Sequence, residues 1–199
     1  MPKEPESSQV KDGDAVISVL QDLGLLLLSD PRRKNAIEVL TGEFPKGSWW
    51  SHPAANQIYG VLQTVEQHPD VLLAKLLAGK VTLVHRALWP ALRAVVTARE
   101  AWQLQDLSPG ATQCLAALDA GEDPPVSRTV SKEIEARLLA RAENLHGAVG
   151  RHETRLEPWP AWAERAGCPA ALPLPAAKAS LEAAAARLGP PLAALPWQG

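Results

Sequence analysis

Residues 70–86, DVLLAKLLAGKVTLVHR, decide the fold of this chain. As one long amphipathic helix, the Leu-rich stretch would belong to a helical bundle. As a hairpin, it has a strand through Lys75, a turn at Ala78-Gly79-Lys80 and a second strand Val81–Val84. Val81, Thr82 and Val84 are β-branched, a class that packs well on a pleated surface. Gly79 suits the positive φ of a tight turn. Both templates fit an apolar run of this length, and the hairpin is the favoured one.

Upstream, Asp12 or Asp14 is expected to cap a helix over about 15–28, with Val16, Val19, Leu20 and Leu23 on one side. Asp30-Pro31 reads as an acidic N-cap followed by proline in the first turn of a second helix, which Gly42 ends. A loop with Pro45, Gly47 and Trp49-Trp50 follows, and Pro53 opens a third helix carrying Ile58, Val61, Leu62 and Val65 on its apolar face. His68-Pro69 closes that helix, because the residue before a proline avoids the α region. A fourth helix is expected over about 86–97, with Pro90 starting or kinking it.

A second, smaller module follows the connector 99–107. Ser108-Pro109 begins a helix burying Cys114, Leu115 and Leu118, and a further helix is expected over about 130–142. Residues 145–156, broken by Gly147 and Gly150, read as a second hairpin with His146 and His152 flanking its turn. Pro158-Trp159-Pro160-Ala161-Trp162 marks a turn or packing anchor, 167–176 a Pro-rich linker, and 177–188 an Ala-rich helix. The fold class expected is thus mainly α with short β-hairpins. It comprises a disordered leader (1–11), two winged-helix-like modules (12–107 and 108–166), and a tail (167–199) whose helix packs back on them.

Composition narrows the function classes. With 46% hydrophobic and 21% charged residues the chain can bury a core. Its net charge of −2 gives no global pull toward polyanions. Between Arg32 and Arg99, however, nine Lys and Arg stand against four Asp and Glu. Cys114 and Cys168 suggest neither a disulfide framework nor a metal site. The N-terminus has no apolar signal region and no apolar run is long enough to span a bilayer, so a cytoplasmic protein with no membrane partner is expected.

Helix, helix, loop, helix, hairpin is the order of a winged helix-turn-helix, in which the third helix enters the major groove of duplex DNA. On that reading Asn56, Gln57 and Gln63 face the groove, since amide side chains pair bidentately with adenine. Lys80 and Arg86 grip phosphates, and Lys46, Trp50 and His52 edge the surface. Trp49 is expected to pack on the helices, and Trp50 is open to stacking on a base or to shielding the loop. The face carrying the amides has no Lys or Arg, and any solvated helix shows polar residues outward. A protein-interaction scaffold, as a homodimer or with a protein partner, is therefore the alternative.

A small enzyme centred on Trp50, His52 and His85, with Glu43 or Asp70, is the third reading. No HExxH, G-x-S-x-G, P-loop or G-x-G-x-x-G motif supports it, and no cofactor is expected. The segment from GSWWSHP to LWPAL (47–92), chiefly residues 48–53, 69–72 and 79–90, resembles a block of uncharacterised bacterial proteins. That resemblance implies a single structural unit over 43–97 and no site.

Overall fold

In the computed structural model, which describes residues 10–43, 45, 47–146, 152–190 and 194–198, the stretch 70–86 is a hairpin. Val71–Leu77 pairs antiparallel with Lys80–His85. Ala78 and Gly79 have φ of 50° and 67°, the two positive values of a type I′ turn, whose twist matches that of the flanking strands. The turn is one residue tighter than the sequence predicts, and Lys80 already lies in the second strand. A register shift between Lys75 and Leu77 precedes it, and the bulge lets the consecutive Leu76 and Leu77 both be buried. Thr82, fully buried, secures the bulge: its hydroxyl accepts the Leu77 N–H at 3.2 Å and donates to the Lys80 carbonyl at 3.0 Å.

The first unit runs α1 (Gly13–Leu23), β1 (Leu25–Leu27), α2 (Ala36–Thr41), a 3-10 turn at Trp49–Ser51, α3 (Ala55–Glu66), β2 (Val71–Leu77) and β3 (Lys80–His85). Its sheet has the order β1-β3-β2, antiparallel throughout. Two expectations are corrected here. The first helix stops at Leu23 rather than near 28, because Gly24 turns the chain at φ 79° and Leu25–Leu27 pair with Val84–Thr82 as a strand. The second helix starts at Ala36, capped by Asn35, and not at Asp30-Pro31. Asp30 instead turns inward, where its carboxylate accepts the Arg32 N–H at 2.8 Å and meets Arg33 and Lys80.

Val10 is buried and the Lys11 N–H donates to the Leu40 carbonyl, so ordered structure reaches back into the expected leader. Residues 1–9 of that leader lie outside the described residues.

After a 3-10 turn at Arg86–Leu88 come α4 (Trp89–Val96), α5 (Ala101–Leu104), α6 (Pro109–Asp119) and α7 (Arg128–Ala136). These are followed by β4 (Ala140–His146), β5 (His152–Pro158), α8 (Trp159–Arg165) and α9 (Leu174–Ala186). Pro90 falls in the first turn of α4, starting it rather than kinking it. α7 is shorter than expected: Leu138 takes φ 51°, and residues 140–142 belong to the second hairpin instead. Residues 147–151 of that hairpin's turn lie outside the described residues. The tail helix starts three residues early, at Leu174, so the expected linker is shorter.

Among the described residues the protein is a helix-rich α/β structure with one three-stranded and one two-stranded antiparallel sheet. A large core joins the first sheet, α1–α4, Trp159 and Trp162 of α8, and α9. A smaller one unites Cys114, Leu115 and Leu118 of α6 with Ile134, Leu139 and Leu156. Trp162 sits edge-on to both Trp89 (5.2 Å) and Trp159 (5.6 Å), whose indole N–H groups donate to the Val84 and Leu138 carbonyls. In a chain with one Phe and one Tyr, this cluster supplies the bulk that ties α8 to the first unit.

Candidate functional site

α3 buries Ile58, Leu62 and Val65, three positions at helical spacing, against the first sheet. Its other residues set out two outward stripes. Asn56 and Gln57 are exposed near its start, with Thr64 and Gln67 further along. Tyr59, Gln63 and Glu66, at i, i+4 and i+7, face a cleft toward β4. The Gln63 amide donates to the Tyr59 hydroxyl at 3.1 Å.

The loop before α3 places the two tryptophans differently. Ser48 caps the 3-10 turn, Trp49 packs on the core, and Trp50 stacks on Trp49 at 4.0 Å while remaining 58% exposed. Trp50 also lies 5.6 Å from the Tyr59 ring. Trp50 and Gln63 therefore share one aromatic-edged surface. Lys46 lies outside the described residues.

The two cations expected to grip phosphates, Lys80 and Arg86, are placed less freely. Lys80 Nζ is 2.6 Å from a carboxylate oxygen of Asp30, whose side chain is 1% exposed. Arg86 is 3.5 Å from Asp70 and lies over the Trp89 ring at 5.7 Å. Lys75 pairs with Glu135 and Arg99 with Asp119. The local excess of cations is thus offset by carboxylates from outside residues 32–99, namely Asp30, Glu135 and Asp119. Sequence counting over one window misses partners that only the fold brings in.

Neither Lys80 nor Arg86 lines the cleft beside α3. That cleft has two adjoining hollows. One, about 550 Å³, is lined by Trp49, Trp50, Tyr59, Gln63 and, from β4, Arg141 and Glu143. The other, about 300 Å³, is lined by Lys75, Arg128, Ser131, Lys132 and Glu135. Glu66, Leu73, Arg141 and Ala142 border both. Arg141 is held by Glu143 at 2.5 Å and Glu157 at 2.9 Å. Burial alone would raise the Glu157 carboxyl, but the hydrogen bonds from Arg165 and Arg141 outweigh it and leave Glu157 more acidic than usual. Tyr59, Arg128, Lys132 and Arg141 were not legible as site residues, because no local pattern links α3 to α7 and β4.

The histidine-centred arrangement does not assemble. His52 Nδ1 accepts the Ala54 N–H and His85 Nδ1 accepts the Ala87 N–H, each shaping its own turn. His52 precedes α3, whereas His85 pairs with Val71 beyond the other end. The twelve-residue helix alone spans about 18 Å at 1.5 Å per residue, too far for a shared proton or metal. His146 and His152 are opposed in the β4–β5 register, but their side chains lie outside the described residues. Among the described residues, no cluster of three or more His, Cys, Asp or Glu is arranged to hold a metal. Both cysteines are free and buried, and burial pushes their thiols above the usual range. No described helix is long and apolar enough to cross a membrane.

No family model, curated protein or solved structure matches this chain.

Proposed function

We propose that the chain is a nucleic-acid-binding accessory or regulatory protein whose residues 13–85 are a winged-helix module. The observation that carries this reading is the order α1-β1-α2-α3-β2-β3 on a β1-β3-β2 sheet, with the polar stripe of α3 facing solvent. In that architecture the third helix docks in the major groove. Asn56 and Gln57 then meet base edges, Trp50 and His52 edge the contact, and Arg86 reaches a phosphate, while Gln63 turns into the cleft toward β4. Residues 109–158, with α6, α7 and the β4–β5 hairpin, form a smaller related module that lacks counterparts of β1 and of one helix.

The test is a mobility shift of the full chain with duplex DNA at low salt. Binding is expected to weaken as salt rises and to fall with Asn56→Ala and Gln57→Ala together, and with Arg86→Ala. Lys80 is unsuitable as a probe, since its loss also strips a partner from buried Asp30. No shift at low salt overturns the reading.

One observation favours a second reading, a protein-interaction platform. Lys75, Lys80 and Arg86 all face carboxylates, and the hairpin turn is covered by the C-terminal segment, the Ala78 N–H donating to the Ala194 carbonyl at 2.8 Å. That reading predicts a homodimer or stable complex by light scattering after size exclusion. A monomer that shifts duplex DNA contradicts it.

A further inference from the structure

We infer that the cleft between α3 and the α7–β4 wall is a binding site for a short single-stranded segment of nucleic acid. This rests on the nucleic-acid reading but not on its duplex form. The two hollows, about 550 Å³ and 300 Å³, fall in the size range of ligand sites. They suit on the order of one or two nucleotides and are too narrow for a duplex.

Their linings differ in the sense a single strand needs. At the larger hollow Trp50 and Tyr59 are exposed aromatic residues whose rings lie 5.6 Å apart. Trp50 is already backed by Trp49, so a base stacking there extends an ordered ring pair. Stacking of this kind accepts any base and is the main sequence-tolerant attraction for single strands. At the smaller hollow Arg128 and Lys132 project from successive turns of α7. Both are exposed, and neither has an ion-pair partner among the described residues. The other two cations of the lining, Lys75 and Arg141, are held by Glu135 and by Glu143 and Glu157. The unpaired positive charge therefore lies at one end and the exposed aromatic residues at the other.

Glu66 sits between them, exposed and without an ion pair among the described residues. A strand crossing the cleft passes its phosphates near this carboxylate, which therefore weakens binding. That repulsion gives the inference a gain-of-binding test that misfolding cannot imitate.

The experiment titrates the full chain with an oligothymidylate of about twelve nucleotides at about 50 mM salt, reading tryptophan emission and anisotropy of a labelled strand. Saturable binding with quenched emission is expected. Arg128→Ala with Lys132→Ala should weaken it about tenfold or more, Trp50→Ala should remove most of the quenching, and Glu66→Gln should tighten it. Duplex binding without single-strand binding overturns this inference and leaves the proposed function standing. Single-strand binding with the expected variant effects but no duplex binding supports it while removing the duplex reading. Single-strand binding indifferent to Arg128, Lys132 and Glu66 overturns it.

Discussion

Lys80 places its ammonium 2.6 Å from the carboxylate of Asp30, fifty residues earlier and almost wholly buried. The pair joins the start of β3 to the loop after β1. It explains why Asp30 is no helix cap and why the Lys80 ammonium is already paired. Asn35 and the Arg32 N–H complete the fold of the loop around it.

The pair makes stability depend on acid. Burial would raise the Asp30 carboxyl, but the hydrogen bond from Lys80, the Arg32 N–H and the charges of Lys80 and Arg33 together hold it below the usual carboxylate range. A folded value below the unfolded one contributes stability that is present above the unfolded value and lost as pH falls through the folded one. Urea unfolding of the wild type should therefore weaken through the acid range more steeply than that of Asp30→Asn. Lys80→Ala should cost about 1–3 kcal/mol at neutral pH, the range for a buried acceptor deprived of a partner. Parallel acid arms for wild type and Asp30→Asn would refute the assignment.

The tryptophans should divide sharply in a stability scan. Trp162 is buried between Trp89 and Trp159, and Trp162→Ala should cost about 3–5 kcal/mol. Trp50→Ala removes a ring that is mostly in solvent and should cost under about 1 kcal/mol. Denaturant midpoints measure both. Equal losses would mean that Trp50 is a core residue and not a contact surface.

Two glycines should respond with opposite signs. Gly24 has φ 79°, and a methyl there would meet Leu88 Cδ1 at 2.8 Å. Gly24→Ala should destabilise by more than about 1 kcal/mol. Gly60 lies on the exposed face of α3 with open space around it, so Gly60→Ala should stabilise by up to about 1 kcal/mol through helix propensity. Thermal melts of the two variants check the contrast.

What was legible in the sequence was mostly local. The Ala78-Gly79 turn, the β-branched arm after it, the Ser108 cap and the apolar stripe of α3 each announce themselves within a few residues, and each is present. Leu25–Leu27 reads as the end of a helix because a three-residue apolar strand carries no periodicity. Its identity comes from pairing with Val84–Thr82, far along the chain. The exposed faces of Asn56, Gln57 and Gln63 followed from helical spacing. The cleft did not, because its walls come from α3, α7 and β4, and their meeting depends on packing that no window of sequence contains.

The most direct test of the central claim, that this chain binds nucleic acid, is its affinity for labelled duplex and single strands as a function of salt. The account predicts measurable binding at about 50 mM salt, with the logarithm of the affinity falling linearly as the logarithm of salt concentration rises. It also predicts a shallower slope for single strands when Arg128 and Lys132 are both removed. No binding to either form at low salt, or binding indifferent to salt, would contradict it.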